Sequence, residues 1–250
     1  MDNPIIAHLR KPPKFKGIKR ALFIQPHADD NQIGAGGLMA QLVDDGVEVY
    51  ELTVTDDRRL EPDKQGPTTR QTEAIAAQQF LNVKNVGFLG FQDKTQESVE
   101  TIAAAILPII RKIKPDAVFT VDPNLATECH SDHIKTGVAV KYAVLDAMCD
   151  FYPYTDDPTK RHDDVWTTPI LAFYYTDKPN RKVDISKYLD KKIEAVKCHK
   201  SQVDSTLILF VKELAKIAAK GTKHKYSEGY RALSALQTHC FNIAIETEED

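Results

Sequence analysis

Short apolar runs alternate along the chain with longer stretches in which apolar residues recur every three or four positions. Arg20–Gln25 (RALFIQ) is an apolar run closed by Pro26, the pattern of a buried strand. After the polar stretch 27–32, residues Ile33, Leu38, Leu42 and Val43 fall at helical spacing until Gly46, a natural helix stop. Residues 47–54 (VEVYELTV) then alternate and are rich in β-branched and aromatic side chains. The spacing predicts strand, helix, strand over about 35 residues, the length of a βαβ unit, and such units build parallel sheets. The same alternation predicts helices over Thr69–Leu81, Val99–Ile113 and 132–149, and strands over 86–89, Ala117–Val121 and 170–175. Two closing helices are predicted over 186–200 and 205–220. The expected fold class is α/β: a Rossmann-like three-layer α/β/α sandwich with a mostly parallel sheet. With no internal repeat and no long linker, residues 1–250 read as a single domain.

Composition narrows the function classes. Lys and Arg number 33 against 36 Asp and Glu, a formal charge of −3. That balance argues against nucleic-acid binding, which calls for a concentrated positive field. The basic stretch 10–20 is offset by the acidic tail 246–250. No apolar run approaches the ~18 residues of a membrane span, and the opening MDNPIIAHLRKPP lacks a long apolar leader core, so a cytoplasmic protein with no membrane partner is expected. Cys129, Cys149, Cys198 and Cys240 form no C-x-x-C pair and read as reduced thiols.

In open α/β sheets ligands sit beyond the carboxyl ends of the strands. The loop after the first predicted strand is Pro26-His27-Ala28-Asp29-Asp30-Asn31, and that after the fourth contains Glu128-Cys129-His130-Ser131-Asp132-His133. Both combine imidazole and carboxylate, and the topology brings them to one edge of the sheet. Catalytic zinc takes three protein ligands from His and Asp or Glu and keeps a position for water or substrate. His27 and Asp30, three apart, can point to one side at the entry of a helix. His130 or His133 could close the set, leaving Asp29 and one histidine free as base and acid of a metal-assisted hydrolysis. Alone, Asp-Asp-Asn at a strand end is a common helix cap, and His-x-x-His at a helix start is a weak signal. Together, on equivalent loops of an α/β pattern, the two point to a functional site.

These residues resemble the PIG-L/LmbE family of zinc-dependent de-N-acetylases. The likeness lies in His27-Ala28-Asp29-Asp30 with Ile33-Gly34-x-Gly36-Gly37, and in His130-Ser131-Asp132-His133. It extends to Arg70-x-x-Glu73, to Leu89-Gly90 with Asp93, to KIEAVKCHKSQ at 192–202, and to Tyr226-Ser227-Glu228-Gly229-Tyr230. The resemblance implies that His27, Asp30 and His133 bind the metal. It implies Asp29 as general base, His130 as acid or oxyanion-stabilising group, and Asp132 as the carboxylate that orients His130. It further implies that Arg70 and Asp93 hold a small N-acetylated, sugar-like substrate, and that a homo-oligomer is open to the chain. Zinc is the implied cofactor, with Fe²⁺ or Co²⁺ compatible with a His₂Asp set. Ala28 and Asn31 stand where the family most often has Pro and Glu, and Glu128 where some members place a Tyr.

The reaction so implied is removal of an acetyl group from an amino sugar. The competing reaction is cleavage of a non-acetyl amide, such as a thiol conjugate, by the same residues. A dinucleotide-binding domain fits poorly, because two adjacent aspartates would repel phosphate and Met39 stands where a third glycine belongs. A catalytically dead relative is disfavoured because every implied group is intact. Cys129 is expected to point away from a metal and His199 to occupy a packed or surface helix position. His8, His162, His224 and His239 are expected to face water. Specificity is expected in the loops 56–67 and 151–169.

Overall fold

A computed structural model describes residues 4–249. Asp250 of the acidic tail and the first three residues of the stretch read for a leader lie outside the described residues. The elements in chain order are α1 (Pro4–Leu9), β1 (Arg20–Gln25), α2 (Asp30–Asp44), β2 (Glu48–Asp56), α3 (Thr69–Leu81), β3 (Lys84–Gln92), α4 (Val99–Ile113) and β4 (Ala117–Val121). They continue with α5 (Ser131–Asp146), β5 (Ile170–Tyr174), β6 (Arg181–Asp184), α6 (Leu189–Val196), α7 (Ser205–Ala218), β7 (Ser227–Ser234) and β8 (Glu248–Glu249).

The strands form one sheet in the order β3-β2-β1-β4-β5-β7-β6-β8. β1 to β5 run parallel, β7 runs against both β5 and β6, and β8 pairs parallel with β6. The sheet is therefore mostly parallel and three-layered, as its sequence pattern predicts. Alternate residues feed two cores. Ala21 and Phe23 of β1 and Phe119 of β4 face Leu38, Met39 and Leu42 of α2, Ile193 of α6 and Val211 of α7. Leu22, Ile24 and Val118 face Ile102, Ile106 and Ile110 of α4 and Val140 and Val144 of α5. The chain steps outward from β1 through β2 to β3 and then returns beside β1 as β4. The loops after β1 and β4 thus diverge at the switch point where α/β sheets hold their ligands.

Several boundaries differ from the sequence pattern for identifiable reasons. α2 begins at Asp30 rather than near Ile33, because Asn31 and Gln32 are buried as polar residues and satisfied there. Both donate to the buried carboxylate of Glu51 on β2, which also accepts from Gln25 and Gln78. β3 is longer than 86–89, with a register irregularity against β2. α6 covers only the middle of 186–200. β6, β7 and β8 are additional strands, whose polar residues mask any apolar alternation. The short glycine run of α2 serves packing: a Cβ on Gly34 would lie 2.3 Å from the Tyr174 ring, and one on Gly37 2.7 Å from Ile185. The acidic tail meets the basic amino-terminal stretch directly, Glu246 lying 3.7 Å from Arg10 and Glu248 3.8 Å from Lys11. Among the described residues no helix is long and apolar enough to cross a membrane.

Candidate metal centre and active site

β1 delivers His27 and Asp29 in the turn before α2, and Asp30 opens that helix. β4 leads through residues 122–130 to α5, which begins at Ser131 with His130 as its cap and places Asp132 and His133 in its first turn. The three donor atoms His27 Nδ1, Asp30 Oδ2 and His133 Nε2 converge: the first pair are 3.2 Å apart, His133 Nε2 is 3.3 Å from His27 Nδ1 and 3.4 Å from Asp30 Oδ2. A tetrahedral ion with ligand bonds of 2.0–2.1 Å has ligand-to-ligand edges of about 3.4 Å. The residues present therefore fit a small divalent cation. An overlapping donor group, His27, His130 and Asp132, also exists.

The remaining nitrogens of the two converging imidazoles are held by carboxylates. His27 Nε2 meets Asp132 Oδ2 at 3.2 Å, and His133 Nδ1 meets Glu128 Oε2 at 2.9 Å. Such outer partners fix a ligand's tautomer and orientation. Here the structure corrects the role expected of Asp132, since its carboxylate rests on His27 and not on His130. Asp132 is fully buried in the first turn of α5, and its side chain turns inward to accept the N–H groups of Lys94 and Thr95 at 2.7 and 3.0 Å. It meets His130 only through its backbone, donating its N–H to His130 Nδ1 at 3.3 Å.

Charge in this cluster is heavily negative. Burial alone would lower the pKa of His27, but hydrogen bonds to Asp132 and Asp30 outweigh it and hold that pKa at about 10. His133 is likewise raised, burial being overcome by its bond to Asp30. Asp30 stays well below the usual carboxylate range, because the bonds from His133 and His27 overcome its burial. The carboxylates thus favour positive charge at these imidazoles; a divalent cation would supply it in place of the protons on His27 Nδ1 and His133 Nε2, each ring then being neutral with that lone pair as the ligand. Asp29 is pushed up to about 6 by burial and the neighbouring Asp30 charge, with Arg70 pulling the other way. His130 is lowered by burial and by the charge of His27.

Arg70, in the first turn of α3, spans Asp29 at 3.3 Å and Asp93 at 3.6 Å, so the residues implied for substrate contact form one chain with Asp29. α3 is firmly started by a Thr68–Gln71 capping box. Three neighbours were not singled out by sequence for the parts they take here. Tyr175, after β5 and at φ 53°, stacks parallel to His133 at 6.2 Å and donates to the Asp30 carbonyl at 3.3 Å. Glu128, in sequence one carboxylate of the His-rich loop and a departure from a family tyrosine, folds back onto His133, as a carboxylate five residues before a histidine at a helix start can. His199 is fully buried beyond the end of α6, with both ring nitrogens lacking a hydrogen-bond partner. Cys129 is exposed and directed at the Thr127 carbonyl. His8 and His239 are exposed, while His162 and His224 are half-buried and bonded to Pro153 and Ser227.

An open α/β sheet here carries, at its switch point, a His₂Asp donor set able to hold a metal ion, with a further carboxylate and imidazole beside it. Residues 22–144 match the model of the PIG-L family, described as GlcNAc-PI de-N-acetylase. Diacetylchitobiose deacetylase of Thermococcus kodakarensis is 31% identical over 239 residues, covering 90% of this chain and 87% of the relative. A probable N-acetyl-α-D-glucosaminyl L-malate deacetylase of Bacillus cereus is 28% identical, covering 76% and 86% respectively. The N,N′-diacetylchitobiose deacetylase of Pyrococcus horikoshii, solved with an inhibitor, superposes with a TM-score of 0.82 at 28% identity over 97% of both chains. The chain belongs to the PIG-L family.

Proposed function

We propose that the protein is a divalent-metal N-deacetylase that releases acetate from a small N-acetylated amino sugar. The observation that carries this reading is the convergence of His27 Nδ1, Asp30 Oδ2 and His133 Nε2 at 3.2–3.4 Å, with Asp29 and His130 beside them and outside the donor set. The named relatives support the substrate class, since one is named as a deacetylase of diacetylchitobiose and the other as a probable deacetylase of N-acetyl-α-D-glucosaminyl L-malate. Zinc is the proposed ion, Fe²⁺ and Co²⁺ being chemically admissible, and when bound it supplies Lewis-acid polarisation of the amide carbonyl and acidification of water.

Asp29 has one oxygen committed to Arg70, and its other oxygen takes the proton of the attacking water. A carboxylate raised to about 6 is well matched to a general base near neutral pH. Water adds to the amide carbon, the carbon–nitrogen bond then breaks, and the amine leaves with a proton. His130 accepts at Nδ1 from the Asp132 backbone, so the neutral imidazole carries its proton on Nε2. It is therefore assigned as hydrogen-bond donor to the developing oxyanion, while the proton taken up by Asp29 passes to the departing nitrogen and restores the carboxylate. Arg70 holds Asp29 in place, and Asp93 offers a carboxylate to sugar hydroxyls. Acetate release from a panel of N-acetyl sugars, with and without a chelator, tests the reading. Chelator-sensitive release of acetate is expected; release only of a longer acyl acid, or activity indifferent to the chelator, contradicts it.

A further inference from the structure

We infer that Glu128 is a positioning residue that selects the His27, Asp30, His133 donor group over the overlapping group of His27, His130 and Asp132. The inference rests on the metal-hydrolase reading above. Glu128 lies in the connection from β4 to α5, its side chain only 16% exposed. Its two oxygens divide the segment that follows: Oε1 accepts the His130 N–H at 2.7 Å, and Oε2 lies 2.9 Å from His133 Nδ1. An ionised carboxylate only accepts hydrogen bonds, so His133 carries a proton on Nδ1. The Nε2 lone pair of His133 is thereby turned toward His27 Nδ1 and Asp30 Oδ2.

Asp132 does the same for His27, accepting at Nε2 and leaving Nδ1 as the ligand atom. His130 is placed differently. Its Nδ1 lone pair is engaged by the Asp132 N–H and its Nε2 carries the proton, so the neutral ring presents no lone pair to a cation. The hydrogen-bond pattern thus separates two histidines three residues apart into a ligand and a hydrogen-bond donor. Glu128 enforces the division from both ends, by fixing the His133 ring and anchoring the His130 backbone. This gives a physical task to the position where some members of the family have a tyrosine.

The test uses the full-length protein and needs no turnover. Zinc affinity is measured by competition with a chromophoric chelator for wild type, Glu128→Ala, Glu128→Gln and Glu128→Asp. The ring tautomers of the zinc-loaded proteins are read from long-range ¹H–¹⁵N correlations. Glu128→Ala is expected to lose zinc affinity by about 10- to 100-fold. Its His133 should lose the fixed Nδ1–H signature while metal-free thermal unfolding stays close to wild type, and Glu128→Asp should recover part of the affinity. If Glu128→Ala does not fold, Glu128→Gln decides, because its amide oxygen can still accept from His133 Nδ1–H while its NH₂ opposes the His130 N–H. A weakened zinc site with the Nδ1–H signature retained is then expected. Affinity within twofold of wild type in the folded variant overturns the role of Glu128. Wild-type protein that takes up no zinc instead contradicts the metal reading itself.

Discussion

Glu228 offers a quantitative test of how the sheet holds the helix that carries Asp30. It lies on β7, 4% exposed, and four donors converge on its carboxylate. Oε1 accepts from Gly37 N–H at 2.8 Å and Lys192 Nζ at 2.6 Å; Oε2 accepts from Leu38 N–H at 2.9 Å and Tyr230 OH at 2.7 Å. Every acceptor site is used, and two of the donors are backbone groups inside α2. Glu228→Gln keeps one oxygen and sets an NH₂ against the other two donors, each orphaned donor costing about 1–3 kcal/mol. It also leaves the buried Lys192 ammonium without its counter-ion, a class of change that costs about 3–5 kcal/mol. The expected loss is therefore at least about 5 kcal/mol, or roughly 10–20 °C in Tm for a chain of this size. Lys192→Met removes the ammonium but leaves three donors on the carboxylate, so its cost should be smaller, about 1–3 kcal/mol. Urea unfolding followed by circular dichroism measures both, with the double variant supplying the coupling. A Glu228→Gln cost below about 1 kcal/mol, or one smaller than that of Lys192→Met, would refute the reasoning.

Two further outcomes are expected. Asp132→Asn replaces an acceptor shared by His27, Lys94 and Thr95, so zinc affinity should fall by about 10- to 100-fold and KM should rise as the Asp93 loop loosens. Chelator competition and steady-state kinetics check this; an unchanged zinc affinity would contradict the role of Asp132 in holding the His27 ring. His199 is held near a pKa of about 4, chiefly by burial and then by the Arg70 charge. The unfolded chain, near 6.5, therefore binds more protons below that pH, and folding stability falls as pH drops from 6.5 toward 4. Between pH 7 and 5 this group should account for about 2 kcal/mol, a loss that His199→Leu abolishes in paired denaturant titrations. An equal acid sensitivity in the variant would show that His199 is not the group responsible.

The parallel half of the sheet was legible because its strands are buried on both faces and read as continuous apolar runs, as in RALFIQ and AVFTV. β6 and β7 were not, because their buried positions include Arg181, Ser227 and Glu228, whose partners come from distant segments. The start of α2 was missed for a related reason: Asn31 and Gln32 look like loop residues until Glu51, twenty positions on, is seen to satisfy them. At the site, two loops rich in His and Asp could be located from their place after strands. Which carboxylate served which histidine could not, since that depends on ring rotation and on α5 beginning at Ser131. The family resemblance paired Asp132 with His130, its near neighbour, whereas the fold pairs its carboxylate with His27 across 105 residues.

The division of labour between metal ligands and proton carriers is tested most directly in Asp29→Ala. Asp29 contacts Arg70 and stands outside the converging donor set, so the variant should keep about one zinc per chain by atomic emission. Acetate release from the best N-acetyl sugar should meanwhile fall by at least about 10²-fold, the contribution of a positioned general base. Full activity in the zinc-loaded variant would contradict the account, as would loss of the zinc together with the activity.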